Sequence, residues 1–188
     1  MKDYISLNKF SDQIIIGFDK DLIQRKKEGS YIEMSGFDVF KYFKLLSVTN
    51  LSTIDWLNSN IVYLGNHNTE LKTYVENNFD KAKLFFQYYS VAKGAFKYHI
   101  DGKEMSIKRY LLIMRFILNA QYLLKYKKMP QVLMKRNLEE MKNDIPFKVY
   151  SKIKELIELK INGHGRDMFK EIPVLDEYYK EIFVNIKI

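Results

Sequence analysis

The longest helical period in the chain lies between Ser106 and Tyr126, where Tyr110, Leu111, Met114, Ile117, Leu118 and Leu124 recur at three- and four-residue spacing. That stripe covers about six turns, and other elements must bury it. It predicts a helical lobe. The run Leu111 to Leu118 is the most apolar in the sequence, but it is short and contains Arg115, so no membrane span is expected. A cation in such a run is costly unless it pairs with a carboxylate such as Asp55 or lines a cleft. Of these two, a phosphate-facing role for Arg115 is the expectation.

Further helices follow from the same periodicity. Val39, Tyr42, Phe43 and Leu46 mark one. Asn50 to Ser59 marks a second, with Asn50 or Ser52 as its cap. Thr69 to Asn77 and Asp80 to His99 are two more, the latter carrying Leu84, Phe85, Tyr88, Val91, Ala92 and Ala95. Asp101-Gly102 predicts a turn. Pro130 starts a short helix ending near Asn143, Pro146 starts one through Leu159, and Pro173 precedes a last helix from Leu175. Gly163 to Gly165 reads as a loop. Strand signals are confined to the first part. Asp12 to Phe18 is β-rich, Asp19 to Gly29 reads as a charged turn, and Ser30 to Met34 as the paired strand. Ile61 to Leu64 reads as a brief extended piece and Gly65 to Asn68 as a turn. The fold class expected is α+β, a small antiparallel or mixed N-terminal sheet followed by a mostly helical C-terminal lobe. The division expected is 1–64 and 65–188, packed as one compact unit.

Composition narrows the function. Of 188 residues, 47% are hydrophobic and 15% aromatic, enough for a real core. The absence of cysteine excludes disulfides, thiolate metal sites and a cysteine nucleophile. Met1 is followed by Lys2 and Asp3 with no long apolar run, so a cytoplasmic protein is expected. The glycines form neither GxGxxG nor GxxxxGK[ST]. His67, His99 and His164 have no ligand spacing, and there is no Gly-x-Ser-x-Gly elbow. The net charge is +8, and it is concentrated. Between Lys93 and Arg136 eleven basic residues face only Asp101 and Glu104, so this segment carries the whole excess. Phosphates are the anions expected to meet such a surface, although a merely solvated face has the same composition.

Candidate contacts follow. Lys93 and Lys97 share one face of their helix, and Lys108, Arg115 and Tyr122 share one face of the next. If the two helices form an antiparallel hairpin, Lys93, Lys97, Lys108, Arg109 and Arg115 are the expected RNA- or phosphate-binding residues. Among Phe85, Phe86, Tyr88, Tyr89, Phe96 and Tyr98, most are expected in the core and some against bases. Glu33, late in a strand, is the candidate metal-binding and catalytic carboxylate, though most strand acids are simply solvated. Asp38 is expected at a helix N-terminus.

The string SGFDVFKYFKLLSVTNLSTIDWLNSNIVY resembles a stretch of the DNA-polymerase-beta-like predicted nucleotidyltransferases associated with RNA repair. Glu33 matches the family's strand acid, Gly36, Phe37 and Asp38 the next group, and Lys41 and Asn50 follow. Asp55, Trp56, Leu57, Ser59 and Tyr63 match the last group, with Asp55 for the usual Glu and Asn60 for the usual Pro. YYSVAKGAFKYHI, IKRYLLIMRFILNAQYLL and IPVLDEYYKEI resemble later family helices in the same order. The resemblance implies a nucleotidyltransferase-like fold and Mg2+ or Mn2+ as cofactor. It also implies a Gly-Ser turn and an Asp-x-Asp pair that hold the ions. No residues here match that block, and Gly29-Ser30 does not replace it, so an N-terminally truncated member is expected. Ordinary nucleotidyl transfer by the chain alone is then not expected, unless another chain supplies the block. Binding of RNA or a nucleotide is. The alternative, by analogy of size, is a phage anti-CRISPR-like inhibitor acting on the ribonucleoprotein nuclease Cas9 or its guide RNA.

Overall fold

The structure is a computed structural model that describes residues 21–27, 30–37, 39–59, 69–100 and 103–185. The readings of Asp12 to Phe18, Asp38, Ile61 to Leu64, Gly65 to Asn68 and Asp101-Gly102 lie outside them. The described residues are mostly helical with a little antiparallel sheet, and the chain divides into two units, Met1–Ile54 and Asp55–Ile188.

In the first unit β1 (Asp21–Lys27) pairs antiparallel with β2 (Ser30–Gly36), from Asp21 opposite Gly36 to Lys27 opposite Ser30. β1 corrects the expected charged turn. Arg25, Lys26 and Lys27 read against a strand by propensity, but lysine-rich strands are common at sheet edges, where charge discourages further pairing. Only Glu28 and Gly29 separate the two strands in sequence, the spacing of a tight hairpin.

Helix α1 (Val39–Ser47) ends on Thr49, whose φ is 55°. The Thr49 N–H donates to the Leu46 carbonyl and the Asn50 N–H to the Leu45 carbonyl, both at 2.9 Å, which closes a Schellman motif without glycine. Asn50 then caps α2 (Leu51–Leu57), its Oδ1 accepting from the Ser52 and Thr53 N–H groups at 3.1 and 3.3 Å. The division between the units falls inside α2.

The second unit contains α3 (Thr69–Asn78), α4 (Lys81–Ile100), α5 (Ile107–Tyr126), α6 (Met134–Glu140), α7 (Phe147–Ile161) and α8 (Pro173–Asn185). Asp80 caps α4 through Oδ1, which accepts from the Lys83 N–H at 2.9 Å. Ser106 caps α5, its Oγ accepting from the Arg109 N–H at 3.3 Å. Twelve residues of α5 are buried, so it is the central helix of the unit. Around it lie Leu84, Tyr88, Ala92 and Phe96 of α4, Ile153 and Leu156 of α7, and Leu175 and Tyr179 of α8. The rings of Tyr88 and Phe116 lie 6.0 Å apart and those of His99 and Tyr110 5.6 Å apart. Contacts that run down one helix and up the other make α4 and α5 an antiparallel hairpin.

α6 begins four residues after the expected start at Pro130. The Asn137 side chain explains the delay: its Oδ1 accepts from the Gln131 N–H at 3.0 Å, and its Nδ2 donates to the Gln131 carbonyl at 2.7 Å. Those bonds hold Gln131 outside the helix. Its Nδ2 also donates to Asn119 Oδ1 at 2.8 Å, tying α6 to α5. Pro173 is the first residue of α8, a position that loses no hydrogen bond, so the helix starts two residues before the expected Leu175. The expected loop at Gly163 contains a one-turn 3-10 helix, His164–Arg166. β3 (Met105–Ser106) and β4 (Met168–Phe169) form a second antiparallel pair, too short to leave an alternating pattern.

Candidate nucleic-acid interface

The connection between α4 and α5 is fixed from below by a buried polar network. His99 Nδ1 donates to the Lys103 carbonyl at 2.8 Å. The Tyr110 hydroxyl lies 3.2 Å from both His99 Nε2 and Asp176 Oδ2. The Ile172 N–H donates to that hydroxyl at 3.1 Å and to Asp176 Oδ2 at 2.8 Å. Burial, together with the Asp176 charge, pushes the Tyr110 phenol well above its usual range. Several strings that resemble the family therefore meet each other here: His99 from the α4 string, Tyr110 from α5, and Asp176 from α8.

Above this network the end of the hairpin is basic. The Tyr98 ring is half exposed, at 51%. The Lys103 ammonium lies 4.0 Å from the ring centroid and the Arg109 guanidinium carbon 4.9 Å. Lys93, Lys97 and Lys108 are exposed on the same two helices. Lys93 leans over the Tyr89 ring at 5.6 Å. Among the described residues none of Lys93, Lys97, Lys103, Lys108 and Arg109 forms an ion pair, whereas elsewhere in the unit Lys125 pairs with Asp144, Lys152 with Glu155 and Lys154 with Glu139.

The expected residues are only partly brought together. Arg109 joins Tyr98 and Lys103. Lys97 stands about 100° and Lys93 about 140° around α4 from Tyr98, so they extend the basic surface along a neighbouring face. Lys108 and Arg115 share a face of α5 but lie about 10 Å apart along its axis. Arg115 has the partner that its apolar surroundings demand: its Nη2 donates to Asp55 Oδ2, with 28% and 21% of the two side chains exposed. The sequence held that pairing as the alternative to a phosphate-facing role. Burial raises the Asp55 carboxyl above its ordinary value, outweighing the opposing attraction of Arg115. Tyr88 stands beside the pair; burial first, and then the Asp55 charge, push its phenol far up.

Lys103 was not among the expected contacts, and Tyr98 was named only within a group of aromatics expected mostly in the core. A signal was present, because Tyr98 stands about 200° from Phe96 and so off the Leu84–Tyr88–Ala92–Phe96 stripe. Glu33 lies on β2 opposite Gln24. Among the described residues there is no group of three or more His, Cys, Asp or Glu placed to hold a metal ion. The carboxylates described thus do not fit the metal clamp implied by the family, and Glu33 alone is not a donor set for it. No described helix is long and apolar enough to cross a membrane.

A carboxylate-bearing strand pair followed by a helical lobe with a basic hairpin belongs, by its relationship, with the DNA-polymerase-beta-like nucleotidyltransferases. Residues 2–187 match the RNA repair pathway DNA polymerase beta family, and the chain belongs to that family. It is 25% identical over 149 residues to the protein YcgL of Bacillus subtilis strain 168, a match covering 78% of this chain and 56% of YcgL. The match thus spans little more than half of that relative's length. No solved structure matches the chain.

Proposed function

We propose that this chain is a nucleotidyltransferase-like module that binds RNA on the exposed cations of the α4–α5 hairpin, Lys93, Lys97, Lys108 and Arg109 with Lys103. The observation that carries this reading is that five exposed cations without an ion pair among the described residues are concentrated on one hairpin, two of them against the Tyr98 ring. Unpaired surface cations remain available to release counterions from a phosphate backbone. Arg115 supports the hairpin through Asp55 and is not assigned an RNA contact. Glu33 is a single carboxylate, so metal-dependent transfer by the chain alone is not part of the reading. Nothing among the described residues singles out an RNA-guided nuclease as partner.

The test is a mobility-shift assay with labelled structured RNA, with and without Mg2+ or Mn2+ and nucleoside triphosphates. A salt-sensitive shift that is lost when Lys93, Lys97, Lys108 and Arg109 are all changed to Gln, and kept in Glu33→Ala, supports it. Absence of a shift at low salt overturns it. Shortened or extended RNA that requires Glu33 would restore a catalytic reading.

A further inference from the structure

Tyr98 has no evident structural task. Its ring is half exposed, and its hydroxyl makes no hydrogen bond among the described residues. Yet its surroundings are firmly placed. Lys103 is held by the bond from His99 to its carbonyl, and Arg109 by the bond from its N–H to the Ser106 cap. The adjoining Met105 and Ser106 are pinned by pairing with Phe169 and Met168. Two cations from the α4–α5 connection and the first turn of α5 thus converge on one accessible ring.

We infer that Tyr98 is a stacking platform for an unpaired base, with Lys103 and Arg109 as contacts to the phosphates on either side of it. The inference rests on the RNA-binding reading above and adds to it the class of substrate, single-stranded RNA or an unpaired loop. The exchange is favourable in size. A cation over an exposed ring is worth a factor of about two to five, whereas a base stacked on an aromatic ring is worth about five- to a hundredfold. A base that displaces a cation from the ring frees it for the neighbouring phosphate, so the two gains act together. Bases in a duplex are already stacked and cannot use the ring without being unpaired.

The experiment measures fluorescence anisotropy with a short unpaired oligoribonucleotide and with the same sequence annealed to its complement. The wild-type protein is expected to bind the unpaired strand more tightly. Tyr98→Ala should weaken that binding by between about fivefold and about a hundredfold, and Tyr98→Phe should remain within about twofold of wild type. Changing both Lys103 and Arg109 to Gln should lower the slope of log affinity against log salt by about 1.4. Circular dichroism confirms that each variant is folded. If Tyr98→Ala binds the unpaired strand as wild type does, or if the duplex is bound equally well, the stacking site is overturned and the RNA-binding reading stands. If the wild-type protein binds neither RNA at low salt, both fall.

Discussion

Halfway along the α4–α5 hairpin a guanidinium is drawn into the fold and neutralised by Asp55 from another helix; at the end of the same hairpin two cations lean on a tyrosine in water. The residue types are alike and the surroundings differ. Arg115 sits within a run whose neighbours Met114, Phe116 and Ile117 are buried, so a partner is a condition of folding. Lys103 and Arg109 keep their hydration, so no carboxylate is required, and their charge stays available to a ligand. Within one hairpin, burial separates a cation that holds the fold from cations that can meet a partner.

The largest effect that tests this comparison is loss of one member of the half-buried pair. Asp55→Ala strands the Arg115 charge and should cost about 2–4 kcal/mol in denaturant unfolding. Because burial already disfavours the Asp55 carboxylate, Asp55→Leu combined with Arg115→Met should recover most of that loss. RNA affinity should be unchanged in the double variant. A double variant that is stable but has lost RNA binding would move Arg115 to the ligand side of the comparison.

This contrast was half legible in the sequence. A lone arginine inside LLIMRFIL announces that a partner is needed, but the sequence favoured a phosphate and offered Asp55 only as an example of the alternative, because only folding brings residues sixty apart together. The helices were legible because their apolar residues keep a 3.6 period and because Asp80, Asn50 and Ser106 can cap. The start of α6 was not, since it depends on where the Asn137 amide finds Gln131 and Asn119. β1 was hidden by its lysines and arginine. The Tyr98 cluster was legible only in part: the helical period puts Tyr98 off the apolar stripe, but its meeting with Lys103 and Arg109 joins residues from different elements, where no periodicity applies.

Alkali should break the buried part of the hairpin first. Burial raises the phenols of Tyr88, Tyr110 and Tyr122 above their ordinary value, Tyr122 to about 12, with a bond to Glu140 adding to the rise. A phenol raised in the folded state contributes stability that is complete below its unfolded value near 10 and is lost as the pH climbs through the folded value. Stability should therefore be flat up to about pH 10 and fall steadily from there towards pH 12. The check is chemical denaturation at a series of pH values with tyrosinate absorbance followed in parallel. A decline that begins well below pH 10 would assign the alkaline sensitivity to other groups.

The smallest expected effect bears on the exposed end. Changing Lys103 and Arg109 together to Gln removes two cation–π contacts at a solvated ring, each worth about 0.5–1 kcal/mol, so unfolding stability should change by no more than about 2 kcal/mol. Their positions are set by main-chain bonds, from His99 to the Lys103 carbonyl and from the Arg109 N–H to Ser106, and the substitutions leave both intact. Thermal unfolding of this variant beside Asp55→Ala compares the two regions directly. A loss as large as that of Asp55→Ala would mean that the exposed cations also hold the fold together, and the separation drawn between the two ends of the hairpin would not stand.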